Sequence, residues 1–187
     1  MRVGLLGGSF DPIHLGHLRA AENAREALAL ERVAFVPSAQ PPHRTAPLSS
    51  ARDRFTMVAL ATAGHAGFYA SDVELEREGP SYTVDTLRAW RTRHPADELV
   101  LVVGSDAFAE MDTWREANAL FDLCTVAVVP RAGETPAAGP GPAVPVAGPG
   151  LPVSSTEIRR RVAARQSVRY LVPESVADFI EKRGLYR

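Results

Sequence analysis

Lysine is almost missing from this chain. Lys182, close to the C-terminus, is the only one among 21 basic residues, which leaves 20 arginines. A Walker A phosphate loop needs its lysine, and Schiff-base chemistry needs an amine in a pocket, so both drop out. Cysteine is equally scarce. Cys124 stands alone, which excludes an internal disulfide and a cysteine-rich zinc cluster. Its place at the head of the apolar run 124–129 suits a packed thiol rather than a nucleophile. No apolar run approaches the roughly 18 residues of a membrane span, and MRVGLLGGSFDP is apolar for too few residues to be a secretory leader. Charge of one sign is also wanting: 21 basic residues against 22 acidic ones give a net charge of -1, without the basic surplus of a nucleic-acid binder. The expectation is a cytoplasmic protein with neither a nucleic-acid nor a membrane partner, which binds any anion locally. Assembly into a homo-oligomer is left open.

What is present is ordinary globular material. At 187 residues and 45% hydrophobic composition, the chain is expected to form one domain over 1–187. Short apolar runs at 3–6, 33–36, 68–73, 99–103 and 125–129 are expected to be strands. Between them, 15–29, 51–63, 83–93 and 113–121 carry helical spacing. Ser50 with Asp53, and Ser154 with Glu157, have the spacing of a capping box and mark two helix starts. This alternation predicts a Rossmann-like α/β fold: a doubly wound, mainly parallel sheet with helices on both faces and ligands beyond the carboxyl ends of the strands. Residues 133–150 hold five glycines and five prolines, a composition that disfavours regular structure and reads as a surface loop. Within it, 143–147 fits a short edge strand, because Pro145 is tolerated where its missing donor faces solvent.

Two segments carry chemistry. The first strand runs into GGSFDPIHLGHL, where Gly7 and Gly8 allow close backbone approach and Ser9 adds a hydroxyl. The glycines do not fit GxGxxG, so a dinucleotide-binding dehydrogenase loses its main support. A helix starting near Ile13 or His14 places His14 and His17 in its first turn, where free amides and the dipole favour an anion. Surface or capping histidines fit the same spacing, as does a zinc site completed by Asp11 or His43. Near the other end, VSSTEIRRR puts Ser154, Ser155 and Thr156 at a helix N-terminus with Arg159 one turn on, which taken alone is also an ordinary cap and a solvated face.

Together the two segments resemble the paired signatures of the adenylyl- and cytidylyltransferase superfamily. PPHR at 41–44, GPSYTVDTL at 79–87, GSDAF at 104–108 and DTW at 112–114 narrow the likeness to the bacterial nicotinate-nucleotide adenylyltransferases. The resemblance implies transfer of the adenylyl group of ATP to nicotinate mononucleotide, with Mg²⁺ arriving on ATP and no dedicated metal cage in the protein. It implies that Gly7, Gly8, Ser9, Phe10, His14, His17, Ser154, Ser155, Thr156 and Arg159 grip ATP, His17 facing the α-phosphate, while Gly104 and Asp106 hold the ribose. Ser9, His43 and Arg44 would meet substrate phosphates; Tyr82 and Thr83 would recognise the nicotinate carboxylate, and Trp114 would lie against the pyridine ring. Without the family, Trp114 reads as a core aromatic and Thr83 as a helix-start residue. Ser9 stands where relatives usually carry threonine, and Ala132 where proline is common. Another adenylyltransferase, acting on nicotinamide mononucleotide or phosphopantetheine, is the nearest rival. A nucleotide-binding module without turnover and a metal-dependent hydrolase follow.

Overall fold

A computed structural model describes residues 1–41, 48–130 and 139–187. Six strands form one sheet: β1 (Arg2–Gly8), β2 (Arg32–Pro37), β3 (Phe68–Ala70), β4 (Glu98–Gly104), β5 (Thr125–Val129) and β6 (Val144–Pro145). Their order is β3-β2-β1-β4-β5-β6 and all five pairings are parallel. Helices α1 (Leu15–Ala27), α2 (Ala51–Thr62), α3 (Thr83–Arg93), α4 (Ser105–Ala109), α5 (Ala117–Leu123), α6 (Ser155–Ala163) and α7 (Glu174–Arg183) cover it. Two expected helix starts are capped as their sequences imply: Ser50 Oγ accepts from the Asp53 amide at 3.0 Å, and Ser154 Oγ from the Glu157 amide at 3.2 Å.

A strand buried on both faces reads as a continuous apolar run, and the period of two sorts its side chains between two cores. Leu6, Val33, Phe35, Val100, Val102, Ala127 and Val129 share one core with Ala21, Met57, Ile158, Val176 and Ile180 from α1, α2, α6 and α7. Val3, Leu5, Ala34, Val36, Leu99, Leu101, Val126 and Val128 share the other with Val84, Leu87, Phe108 and Leu120 from α3, α4 and α5. The chain winds outward from β1 through β2 to β3, then returns along α3 to place β4 on the opposite side of β1. The loops after β1 and β4 therefore part company at the carboxyl ends, and such a switch point is where open α/β sheets bind ligands.

Several boundaries differ from the sequence expectations. The helix expected over 113–121 begins at Ala117, because Met111–Thr113 form a 3₁₀ turn, Trp114 is extended and Glu116 takes a left-handed φ of 51°. Helix α1 stops at Ala27 rather than 29, since Ala29 turns left-handed (φ 49°) and lets the Leu30 amide reach the Arg25 carbonyl at 2.9 Å. Strand β3 ends at Ala70, where Asp72 opens a turn by accepting from the Leu75 amide at 2.7 Å. Helices α4 and α7 add to those that periodicity suggested. The 133–150 segment, as far as it is described, is more than a surface loop. Val146 is only 1% exposed, and a Cβ on Gly139 or Gly141 would fall 2.2 Å or 2.5 Å from the rings of Phe108 or Phe121. The expected edge strand is there as β6: Val128 pairs with Pro145 and accepts from the Val146 amide at 2.9 Å.

Candidate active site

Gly7 and Gly8 belong to the end of β1, paired with Val36 and Pro37, rather than to a free loop. A Cβ on Gly8 would stand 3.2 Å from the ring of Phe10, which is buried behind the strand end and adopts a φ of 49°. From Ser9 to Pro12 the backbone is held by side chains from distant elements. Arg54 Nη1 donates to the Ser9 carbonyl at 2.7 Å, Arg159 Nη1 to the Asp11 carbonyl at 2.7 Å, and Ser155 Oγ to the Pro12 carbonyl at 2.8 Å. In a trans peptide the N–H opposes the C=O, so carbonyls anchored in protein turn the following amides of Phe10 and Ile13 the other way. Backbone amides turned away from anchored carbonyls are donors of the kind an anion uses.

The two histidines sit where α1 begins. Helix α1 starts at Leu15, so His14 is its N-cap residue and His17 lies within the first turn. Their rings stack 3.6 Å apart at 23°, and Phe10 meets His17 edge-on at 5.1 Å. Nδ1 of His17 accepts from the His14 amide at 3.2 Å. With Nδ1 so engaged, the nitrogen of this ring that can carry a donor proton is Nε2. His14 is 6% exposed, and burial lowers its pKa from 6.5 to about 4, so at neutral pH it adds no charge. Its Nδ1 is buried without a hydrogen-bond partner. Gly16 makes room for this ring: a Cβ there would lie 2.9 Å from His14 Nδ1.

The two segments that carry the family resemblance thus meet in space although about 145 residues separate them, as the contacts of Pro12 with Ser155 and of Asp11 with Arg159 show. Helix α6 opens with Ser155 and Thr156, and Arg159 Nη2 reaches Thr156 Oγ1 at 3.2 Å. The N-termini of α1 and α6 therefore converge on one loop. On β4, Gly104 lies two residues past the Leu6–Val102 pair; it is exposed and caps α4, whose first turn carries exposed Asp106. Thr83 is the first residue of α3 and Tyr82 its N-cap. Ser81 Oγ accepts from the Ala39 and Gln40 amides at 2.9 and 3.1 Å, so the start of α3 is tied to the loop after β2. Trp114 is half-buried against the α3–α5 core. His43 and Arg44 lie outside the described residues. Among the described residues no group of three or more His, Cys, Asp or Glu is placed to hold a metal, so the zinc alternative of Asp11, His14 and His17 has no cage there. Cys124 is partly buried and its thiol is pushed up to about 11 by burial, in keeping with a packing role.

Residues 5–161 match the cytidylyltransferase-like family model. Over 187 residues, and the whole of both chains, the sequence is 51% identical to a probable nicotinate-nucleotide adenylyltransferase of Thermus thermophilus. The chain belongs to the nicotinate-nucleotide adenylyltransferase family. A relative from Geobacillus kaustophilus is 42% identical across 99% of this chain and 86% of its own. The same fold occurs in the Plasmodium falciparum nicotinic acid mononucleotide adenylyltransferase complexed with NaAD. That structure has a TM-score of 0.81 at 19% identity and covers 99% of this chain and 97% of its own. No helix among the described residues is long and apolar enough to cross a membrane.

Sequence reasoning passed over Arg54, Ser49 and Tyr186, and took up Asp11 only as a possible metal ligand. Arg54 is 1% exposed, and besides Ser9 it donates to the carbonyls of Ser38 at 2.6 Å, Ser49 at 3.4 Å and Ala39 at 3.5 Å. Burial lowers its pKa, although nearby Asp11 works the other way. The signal was its spacing: Arg54 lies three and four residues before buried Met57 and Val58, on the inward stripe of α2. Asp11 is 5% exposed and its carboxylate accepts from the Leu48 amide at 2.8 Å, the Ser49 amide at 3.3 Å, Ser49 Oγ, and Tyr186 Oη at 2.7 Å. Nothing in the linear pattern links Asp11 or Ser49 to Tyr186.

Proposed function

We infer that this chain joins ATP to nicotinate mononucleotide, giving deamido-NAD and pyrophosphate, and that it does so at the carboxyl ends of β1 and β4. The oxygen of the mononucleotide phosphate bonds to the α-phosphorus of ATP, and the bond from that phosphorus to the bridging oxygen breaks, releasing pyrophosphate. The attacking oxygen is already anionic at neutral pH, so no general base or enzyme nucleophile is needed. The barrier is that of bringing anions together and accommodating charge on the α-phosphoryl oxygens.

Each residue then has an assigned role. His17 donates from Nε2 to an α-phosphoryl oxygen, with stacked His14 holding its ring. Arg159, Thr156, Ser155 and Ser154, with the amides at the start of α6, bind the outer phosphates, and Gly7, Gly8, Ser9 and Phe10 form the floor. Gly104 and Asp106 take the ribose of ATP. Tyr82 and Thr83 meet the nicotinate carboxylate at the start of α3, and Trp114 offers a face to the cationic ring. His43 and Arg44 complete the contact with the substrate phosphates. Mg²⁺ would arrive with ATP rather than in a protein cage and would supply neutralising charge to the phosphates. The Asp11 carboxylate is committed to Ser49, Leu48 and Tyr186, which suits a metal held by the nucleotide rather than by a protein cage. Two soluble nucleotides as substrates support a cytoplasmic reaction.

The observation that carries this reading is the joining of Ser155 and Arg159 to the loop that leads into His14 and His17. Its test is pyrophosphate release from ATP with Mg²⁺ and nicotinate mononucleotide, nicotinamide mononucleotide or phosphopantetheine as acceptor. The acid mononucleotide should be used best, and His17→Ala should lower kcat by about a hundredfold, the scale of losing one transition-state donor. Near-normal turnover by that variant would sink the assignment.

A further inference from the structure

We propose that Tyr186, the penultimate residue of the chain, is a positioning residue for adenylyl transfer, keeping loop 9–14 in its working shape through the carboxylate of Asp11. The proposal rests on the assignment of that loop to the phosphate site. The segment after α7 is turned back and tied down. Helix α7 closes at Gly184 (φ 64°), with the Gly184 amide on the Glu181 carbonyl and the Leu185 amide on the Ile180 carbonyl, both at 3.1 Å. Tyr186 itself adopts a φ of 64°, a left-handed conformation disfavoured by an aromatic side chain. That backbone is held by the hydroxyl, which donates to Asp11 Oδ1 at 2.7 Å across 175 residues and lies 3.2 Å from Ser49 Oγ.

The hydroxyl is suited to a fixed donor role. Burial first, and then the Asp11 carboxylate, raise its pKa well above the ordinary phenol value, so it stays protonated throughout the working range. Asp11 passes the constraint on. Its carboxylate is fixed by Tyr186, Ser49 and the Leu48 amide, while its own carbonyl accepts the Arg159 guanidinium at 2.7 Å. One residue thus couples the C-terminal tail to Arg159, and three positions further on His14 caps α1 and supports His17. Without the hydroxyl, the carboxylate keeps its Ser49 and Leu48 partners but can swing about them, and the loop backbone follows.

Steady-state pyrophosphate release on the full-length protein, with ATP and nicotinate mononucleotide, tests this on wild type, Tyr186→Phe, Asp11→Asn, the double variant and His17→Ala. Tyr186→Phe should lower kcat about tenfold while each KM changes by less than about twofold, the pattern of an interaction needed at the transition state rather than in ground-state binding. The double variant should be no slower than Asp11→Asn alone, because Tyr186 acts through that carboxylate. A wild-type kcat in Tyr186→Phe, even with a lowered Tm, overturns the proposal, as do losses that multiply in the double variant. Where Asp11→Asn does not fold, the kcat and KM of Tyr186→Phe decide alone. A crippled His17→Ala beside a normal Tyr186→Phe refutes only the role of the tail. Normal turnover in both refutes the phosphate site itself.

Discussion

Replacing Arg54 by methionine removes a deeply buried cation at nearly constant volume, and its cost follows from four hydrogen bonds. The contacts with Ser9 at 2.7 Å and Ser38 at 2.6 Å are short and charge-assisted, whereas those with Ser49 at 3.4 Å and Ala39 at 3.5 Å are marginal. Leaving two part-buried carbonyls without donors costs roughly 2 to 6 kcal/mol. Methionine recovers part of this, because a charge with 1% exposure no longer has to be kept out of water. The net loss should be about 3 kcal/mol, or roughly 6 to 12 °C in Tm for a domain of this size. Arg54→Lys retains the charge but presents its donors from one point instead of a planar fork, so it should fall between wild type and methionine. Thermal unfolding followed by circular dichroism, with urea midpoints at unchanged m value, measures both. A methionine variant within about 2 °C of wild type, or a lysine variant less stable than it, would refute the assignment of Arg54 as the clamp of these loops.

Two further outcomes follow from the histidine pair. The pKa of His14 is depressed on folding from 6.5 to about 4, so the unfolded chain binds the proton first. Its contribution is therefore constant above pH 6.5 and is lost progressively as the pH falls towards 4, by about 3 kcal/mol in all. Urea unfolding at a series of pH values should show that decline in wild type and a shallower one in His14→Gln; parallel curves would contradict the burial argument. Gly16→Ala places a methyl 2.9 Å from His14 Nδ1 in a ring that is 6% exposed, so the imidazole must move and carry its stacked partner with it. Turnover should fall about tenfold, the loss expected from misplacing a group by a fraction of an ångström; wild-type kcat would show that the stack does not position His17.

Features that depend on near neighbours are legible in the linear chain. Alternating runs and caps such as Ser50 with Asp53 set the βα order and five of the six strands, because hydrophobic periodicity and capping are local interactions. Pro145 marked β6 as an edge for the same reason: its missing donor is a property of one residue. Local patterning went wrong where single residues take unusual torsions, as at Ala29 and Glu116, whose left-handed φ values no composition announces. The family resemblance pointed to His14, His17 and Arg159 as residues to examine, but not to the contacts that seat them. Only tertiary structure decided that Arg54 turns inward to four carbonyls, that Ser155 and Arg159 close on Pro12 and Asp11, and that Tyr186 reaches a carboxylate 175 residues away. The physical reason is desolvation: whether a guanidinium, a carboxylate or a phenol serves as a solvated surface group or a structural tie depends on which distant backbone excludes water from it.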